Sequence, residues 1–313
     1  MSLLKVEYFK YLYNFWRFKK KQKKNIFTKK ESKFIDEKYN QLKKERKLIL
    51  ATQVGRGGGK WLADMINSTK GAYAYGERNR IKESYFRYLR SFRDKSFDKS
   101  MLKIIKSEAI NDWEENYISY ISSPYFSHGL YFLDKELKPD KIVILVPAFK
   151  HLIKSFKNKN WYNGKNFYYN KQKKIPREFQ NNPNHFYGRY LNFNLSRRII
   201  NKLTQLQKIS LFVSETLEKI FQECKKIDRK KIKIFDLRKA DQNYSYCKKF
   251  LKNIDIELSL NKKNFLLLKH NTSRNHENKK IFISTNEINW IEEKEKKYNK
   301  IKKNFYIFIK NNL

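Results

Sequence analysis

The chain has 313 residues, of which 40% are hydrophobic and 33% charged. That is enough apolar material for one large α/β domain or two small ones. Mean hydropathy is −0.84 and no apolar run approaches the ~18 residues of a membrane-crossing helix, so such a helix is excluded. Two cysteines, Cys224 and Cys247, exclude a disulfide scaffold and the usual four-ligand zinc sites.

The first four residues are followed by charges, with no apolar core of a leader, so no cleavable signal peptide is expected and a reducing cytoplasm is the expected location. The formal net charge is +40. Read directly, it suggests a polyanionic partner such as nucleic acid or an anionic lipid surface. Read as composition, it follows from nucleotide bias, since Lys, Asn, Ile, Phe and Tyr share A/T-rich codons. Both readings leave a protein that attracts anionic ligands.

In chain order, residues 1–46 read as a basic amphipathic N-terminal extension, and residues 47–313 as the domain. Leu4, Tyr8, Leu12 and Phe15 recur at helical spacing ahead of the basic run at 17–24. Such a segment could make peripheral contact with an anionic membrane, or pack on the domain as an ordinary helix. Residues 48–52 are short and apolar and predict a buried strand. They run into Val54-Gly55-Arg56-Gly57-Gly58-Gly59-Lys60-Trp61-Leu62, which holds four of the nine glycines. Helical apolar spacing follows over 61–66. Residues 82–130 are rich in aromatics, including Tyr85, Phe86, Tyr88, Phe92, Trp113, Tyr117 and Tyr120, and could form helix core or an acceptor pocket. Residues 141–146 predict a second, central strand, 151–156 a helix, and 160–186 a long loop suited to a lid. Residues 231–235 predict a third strand and 244–251 a further helix. Strands separated by helices predict a three-layer, doubly wound parallel sheet.

Strand, glycine-rich loop and helix present backbone N–H groups and a positive helix end to a phosphate. The loop is not a Walker A motif, because Val54 stands where its first Gly belongs and Trp61 where Ser/Thr would hold Mg²⁺. Nor is it a dinucleotide fingerprint, since Leu62 replaces the last Gly or Ala. A metal-independent, cation-bearing phosphate loop remains, against the plain alternative of a tight turn.

Gly55-Arg56-Gly57-Gly58-Gly59-Lys60-Trp61-Leu62 resembles the loop of sulfotransferases that use 3′-phosphoadenosine-5′-phosphosulfate, (Pro/Gly)-(Lys/Arg)-Ser-Gly-Thr-Thr-(Trp/Leu)-Leu. It departs at Gly57 for Ser and at Gly59-Lys60 for Thr-Thr. Tyr75-Gly76-Glu77-Arg78-Asn79-Arg80 is similar to the Gly-Glu-Glu-x-Arg segment of the protein-tyrosine members. Ser122-Ser123-Pro124 resembles the Lys-Thr/Ser-Pro element of bacterial ones. Residues 140–156 resemble the 3′-phosphate region, with Ser155 at its Ser and Pro147 where its Arg belongs. Phe235-Asp236-Leu237, 250–254 and His270-Asn271-Thr272-Ser273 are weaker likenesses further on.

The resemblance implies a P-loop/sulfotransferase-type α/β fold, the phosphosulfate as co-substrate, and a hydroxyl or amine acceptor on a small molecule, glycan or peptide. It assigns Glu77 as general base. Arg56 and Lys60 would neutralise the leaving phosphate, and Gly57, Gly58, Gly59, Trp61 and Ser155 would join them in binding the donor. Lys150 or Lys154 could supply the cation that Pro147 lacks. Glu77 could equally be held in a salt bridge by Arg78 or Arg80. Trp61 could be helix core, and Ser155 an ordinary helical Ser. His128 is the second candidate base; His151, in a helix beside Lys150, reads as a surface residue, and His185, His270 and His276 sit in polar loops with no evident pairing partner. No Cys/His spacing suits a metal, and no specific nucleic-acid partner is expected. The alternatives are a nucleotide kinase, a basic nucleic-acid or membrane-surface binder, and a sulfotransferase-like fold without activity.

Overall fold

The computed structural model describes residues 27–162, 195, 197–241, 243–272 and 285–310. Five strands form one sheet: β1 (Lys47–Gln53), β2 (Ala72–Gly76), β3 (Ile118–Ser122), β4 (Lys141–Val146) and β5 (Ile232–Asp236). Their order is β2-β3-β1-β4-β5, and all pairs are parallel. The α-helices described are, in chain order, α1 (Lys29–Leu42), α2 (Gly59–Asn67), α3 (Arg80–Ser91), α4 (Asp98–Glu115), α5 (Leu130–Leu137), α6 (Phe149–Asn158), α7 (Arg197–Lys202), α8 (Gln205–Cys224), α9 (Leu237–Ala240), α10 (Tyr244–Lys252), α11 (Lys262–Thr272) and α12 (Thr285–Lys310). None of them is long and apolar enough to cross a membrane.

The expected strands at 48–52, 141–146 and 231–235 are β1, β4 and β5. β1 and β4 are central, and a parallel strand covered on both faces reads as an unbroken apolar run. Leu48, Ile49 and Leu50 are inaccessible, each burial stabilising by about 1.5–3 kcal/mol. One face of the sheet (Ile49, Ala51, Val143, Leu145, Phe235) packs in a core with residues of α2, α10 and α11. The other (Leu48, Leu50, Ile142, Ile144, Val146) packs with residues of α4, α5, α6, α8 and α12. The architecture is therefore α/β/α, as expected, with two strands, β2 and β3, that the sequence reading lacks.

The expected boundary at residue 46 is corrected. Thr28 and Glu31 form a reciprocal capping box that starts α1. Ile35 and Tyr39, four apart and so on one helix face, are buried in the domain core. The Tyr39 hydroxyl donates to the Leu137 carbonyl at 2.7 Å and its ring lies 5.3 Å from that of Trp113. The domain thus includes α1. Residues 4–24, with the membrane-contact expectation, lie outside the described residues. The lid expected over 160–186 also lies outside them after Tyr162.

The C-terminal edge of the sheet carries the glycine-rich loop. The chain leaving β1 crosses to β2 on one flank, whereas the chain leaving β4 crosses to β5 on the other. Adjacent strands whose connections diverge open a crevice at that edge, where ligands of open α/β sheets bind. The glycine-rich loop follows β1 and α6 follows β4, so both flank this crevice.

Candidate active site

The loop climbs from Gln53 to Gly59, where α2 begins. Gly58 is the N-cap, at φ +81°, and a Cβ there would stand 2.5 Å from Leu237 Cδ2. Both the left-handed backbone and the close approach of the β5–α9 corner require glycine. None of the amides of residues 55–61 donates to a described backbone or side-chain acceptor. Four orphan donors are normal at any helix start. Seven in a row, on a loop whose Gly55, Gly57 and Gly59 are buried, form a concentrated donor set for an anion.

Two cations stand on it. Lys60 is exposed in the first turn of α2, which holds no acid. A cation there opposes the helix dipole by about 0.3–1 kcal/mol, a cost that a bound anion reverses. Arg56, at φ +54°, turns its side chain across the crevice, and its Nε donates to Ser155 Oγ at 3.0 Å. Ser155 is buried on α6 and the contact spans 99 residues. Arg56 and Ser155, taken separately from the sequence, are thus one unit. Lys150 is on the outer face of α6, 83% exposed and 3.9 Å from Glu295 of α12. Lys154 is exposed as well. Neither shares Ser155's buried position, and the cation that the structure brings onto Ser155 is Arg56. Trp61 packs between Phe235 (5.9 Å) and Phe265 (6.0 Å) in the core behind the loop, and among the described residues its Nε1 has no hydrogen-bond partner.

Glu77 follows β2, two strands from β1 and so about 10 Å away along the edge. It has φ +59°, and its amide continues the ladder to the Ser122 carbonyl at 2.9 Å. Arg80 Nε holds its Oε2 at 2.7 Å, the salt bridge anticipated as the alternative to catalysis. Arg78 instead pairs with Asp112 at 2.5 Å and lies over the rings of Tyr73 and Tyr75. A 3₁₀ helix, Pro124–His128, forms the next wall. Ser123 Oγ accepts from the Tyr125 amide and donates to Glu83 Oε2 at 2.7 Å. His128 ends this helix, its Nδ1 3.1 Å from Ser127 Oγ. Burial first, then Arg87 and Lys219, hold its pKa well below the ordinary value, so it is a neutral and weak base.

Glu83 and Arg87, one helical turn apart on α3, escaped the sequence reading. Glu83 is 1% exposed and accepts from Ser123 and from the Asn79 amide at 3.0 Å. Burial pushes its carboxyl up to about 8, helped by Glu108 and Glu77 and opposed by those two hydrogen bonds. Arg87 is 4% exposed, with its guanidinium 5.0 Å from the Tyr125 ring and 5.6 Å from the Phe212 ring. A polar residue facing inward on an amphipathic helix was the available signal. The aromatics of 82–130 divide: Tyr85, Phe86, Trp113 and Tyr120 are core, while Tyr117 is exposed. His185, His276 and Ser273 lie outside the described residues, as does the side chain of His270.

Among the described residues, no group of three or more His, Cys, Asp or Glu could hold a metal ion. A scan of models of known protein families found no match to this chain, and a search of curated proteins found none either.

Proposed function

We propose that the chain is a sulfotransferase that moves a sulfuryl group from 3′-phosphoadenosine-5′-phosphosulfate to a hydroxyl or amine. The observation that carries this reading is the run of seven acceptorless amides at the crevice, flanked by Lys60 and by the Arg56–Ser155 pair. Two anionic subsites are supported. The loop amides and Lys60 meet the 5′-phosphosulfate end. Arg56 and Ser155 meet the 3′-phosphate, so the cation missing at Pro147 comes from the loop instead.

In the reaction, the acceptor oxygen attacks sulfur while the bond from sulfur to the phosphate oxygen breaks in line. The electron pair leaves with the phosphate, where Lys60 and the amides stabilise it. The acceptor proton goes to Glu77. The Arg80 contact orients this carboxylate through Oε2, and Oε1 makes no hydrogen bond among the described residues.

Calorimetric titration with adenosine 3′,5′-bisphosphate tests the reading. Binding is expected without Mg²⁺, and Glu77→Gln is expected to keep it while losing on the order of 10²-fold or more in transfer. ATP binding that requires Mg²⁺ would move the chain to the kinases. Salt-sensitive DNA binding with no nucleotide binding would move it to the charge-driven binders.

A further inference from the structure

Gln53 is the last residue of β1, and its side chain lies against the glycines of the loop. It is 6% exposed, and among the described residues its Oε1 has no hydrogen-bond partner. Its amide lies against the loop backbone from inside. A Cβ on Gly57 would stand 2.5 Å from Oε1, and a Cβ on Gly59 would stand 2.4 Å from Nε2. Two of the loop's glycines therefore make room for this one amide.

A structural role does not account for that arrangement. Burying a carboxamide without its hydrogen bonds costs about 1–3 kcal/mol. A glutamine that braced the loop would accept from one of the amides wrapped around it, and among the described residues it accepts from none. Among the described residues Nε2, like the loop amides, is a donor with no acceptor, and an oxygen anion is the partner they share; Oε1 needs a donor and is not the atom that would meet it. Rotation about the terminal torsion of glutamine is soft, so Nε2 can turn to such an oxygen.

We propose that Gln53 is a further ligand of the loop anion, donating Nε2–H to an oxygen of a phosphate or phosphosulfate group. It would take the place of the hydroxyls absent at Gly57, Gly59 and Lys60. The proposal rests on the loop's being an anion site, and only its phosphosulfate form depends on the sulfotransferase reading.

The test compares Gln53→Met with wild type, using two probes, adenosine 3′,5′-bisphosphate and inorganic pyrophosphate. Methionine matches the length and fills the hollow without a polar group. The unliganded variant should melt at the same temperature or about 2–4 °C higher, because an unbonded amide has left the interior. Its affinity for both probes should fall about 10-fold or more, the loss of a hydrogen bond to a charged group. A lowered melting temperature with unchanged affinity for both probes would overturn the proposal and make Gln53 a structural brace. If Gln53→Met fails to fold, Gln53→Glu serves: a brace that accepts through Oε1 would tolerate it, whereas an anion ligand would lose about 100-fold. Loss of pyrophosphate affinity in a protein that transfers no sulfuryl group would keep the Gln53 proposal and sink the sulfotransferase reading. A wild type that binds neither probe sinks both.

Discussion

The ends of β1 and β5 lie on the same edge of the same sheet and are treated in opposite ways. After β5, the side chain and the amide of the last strand residue, Asp236, are fully matched. Asp236 Oδ1 accepts from the Arg238 amide, Oδ2 accepts from Tyr306 at 2.8 Å and from Lys302 at 3.1 Å, and the Asp236 amide donates to the Tyr246 hydroxyl. After β1, seven amides, a buried glutamine and a lysine at the wrong end of a helix stay unmatched. A fold that matches Asp236 so fully has no general shortage of partners at its strand ends. The open donors at the other end are a local property of the loop. α12 supplies much of the closure, through Tyr306, Lys302 and Tyr298, whose hydroxyl donates to the Pro147 carbonyl at 2.9 Å. It therefore fastens the β4 and β5 corners while the β1 corner is left for a ligand.

The sharpest way to break this comparison is Asp236→Ala. Removing a buried carboxylate strands the Lys302 ammonium and the Tyr306 hydroxyl, and the expected loss is about 3–5 kcal/mol of stability. Affinity for adenosine 3′,5′-bisphosphate, measured well below the melting temperature, should stay within a few-fold of wild type. Burial alone would raise the Asp236 pKa, but the bonds from Tyr306 and Lys302 outweigh it and hold the pKa below 3.8. Its stabilising contribution is thus present at neutral pH and lost as the pH falls below that value. A variant as stable as wild type would show that the β5 end is not the closed one.

At the open end the expected losses are functional. Lys60→Ala and Arg56→Ala should each lower turnover by on the order of 10²-fold with melting temperatures near wild type. Ser155→Ala should cost less, about 10-fold. That loss should fall on adenosine 3′,5′-bisphosphate and spare adenosine 5′-phosphate. Equal losses for both nucleotides would detach Ser155 from the 3′-phosphate and merge the two proposed subsites.

How much of this was legible depended on whether the signal was local. The loop could be read because glycine is scarce and four lie within five residues. β1, β4 and β5 could be read because apolar runs announce buried parallel strands. β2, Ala-Tyr-Ala-Tyr-Gly, is an edge strand with small residues inward and Tyr73 and Tyr75 outward. Its open edge is blunted by Asn67, whose side-chain amide bonds both backbone groups of Ala74. β3 is broken by Ser119 and Ser122, and Ser119 is spent on the Asp112 carboxylate. Neither strand has the apolar run that marks the others. Gln53 was lost because a polar residue ended the strand reading at Thr52. The Arg56–Ser155 contact was lost because it exists only once β1 and β4 are neighbours.

The last expected effect concerns Glu83, which belongs to neither extreme: its carboxyl is hydrogen-bonded yet fully withdrawn from water. Unfolded, it ionises near 4.5; folded, near 8. Between those values the folded protein holds one proton that the unfolded chain has released. Stability therefore falls as pH rises across that window, and the slope vanishes above it, where both states are ionised. Glu83→Gln removes this titration while keeping one acceptor for the Asn79 amide or Ser123. Denaturant unfolding at pH 5, 7 and 9 should show the variant gaining on wild type from the first pH to the last. Asp98 and Asp112 also have raised values and titrate alike in both proteins, whereas Glu108, raised as well, is coupled to Glu83, so the difference between the two curves reports Glu83 together with its coupling to Glu108. A difference that stays constant with pH would mean that Glu83 is ionised in the fold at neutral pH. The α3 corner beside Glu77 would then carry a second carboxylate charge, and an acceptor hydroxyl would meet two anions there instead of one.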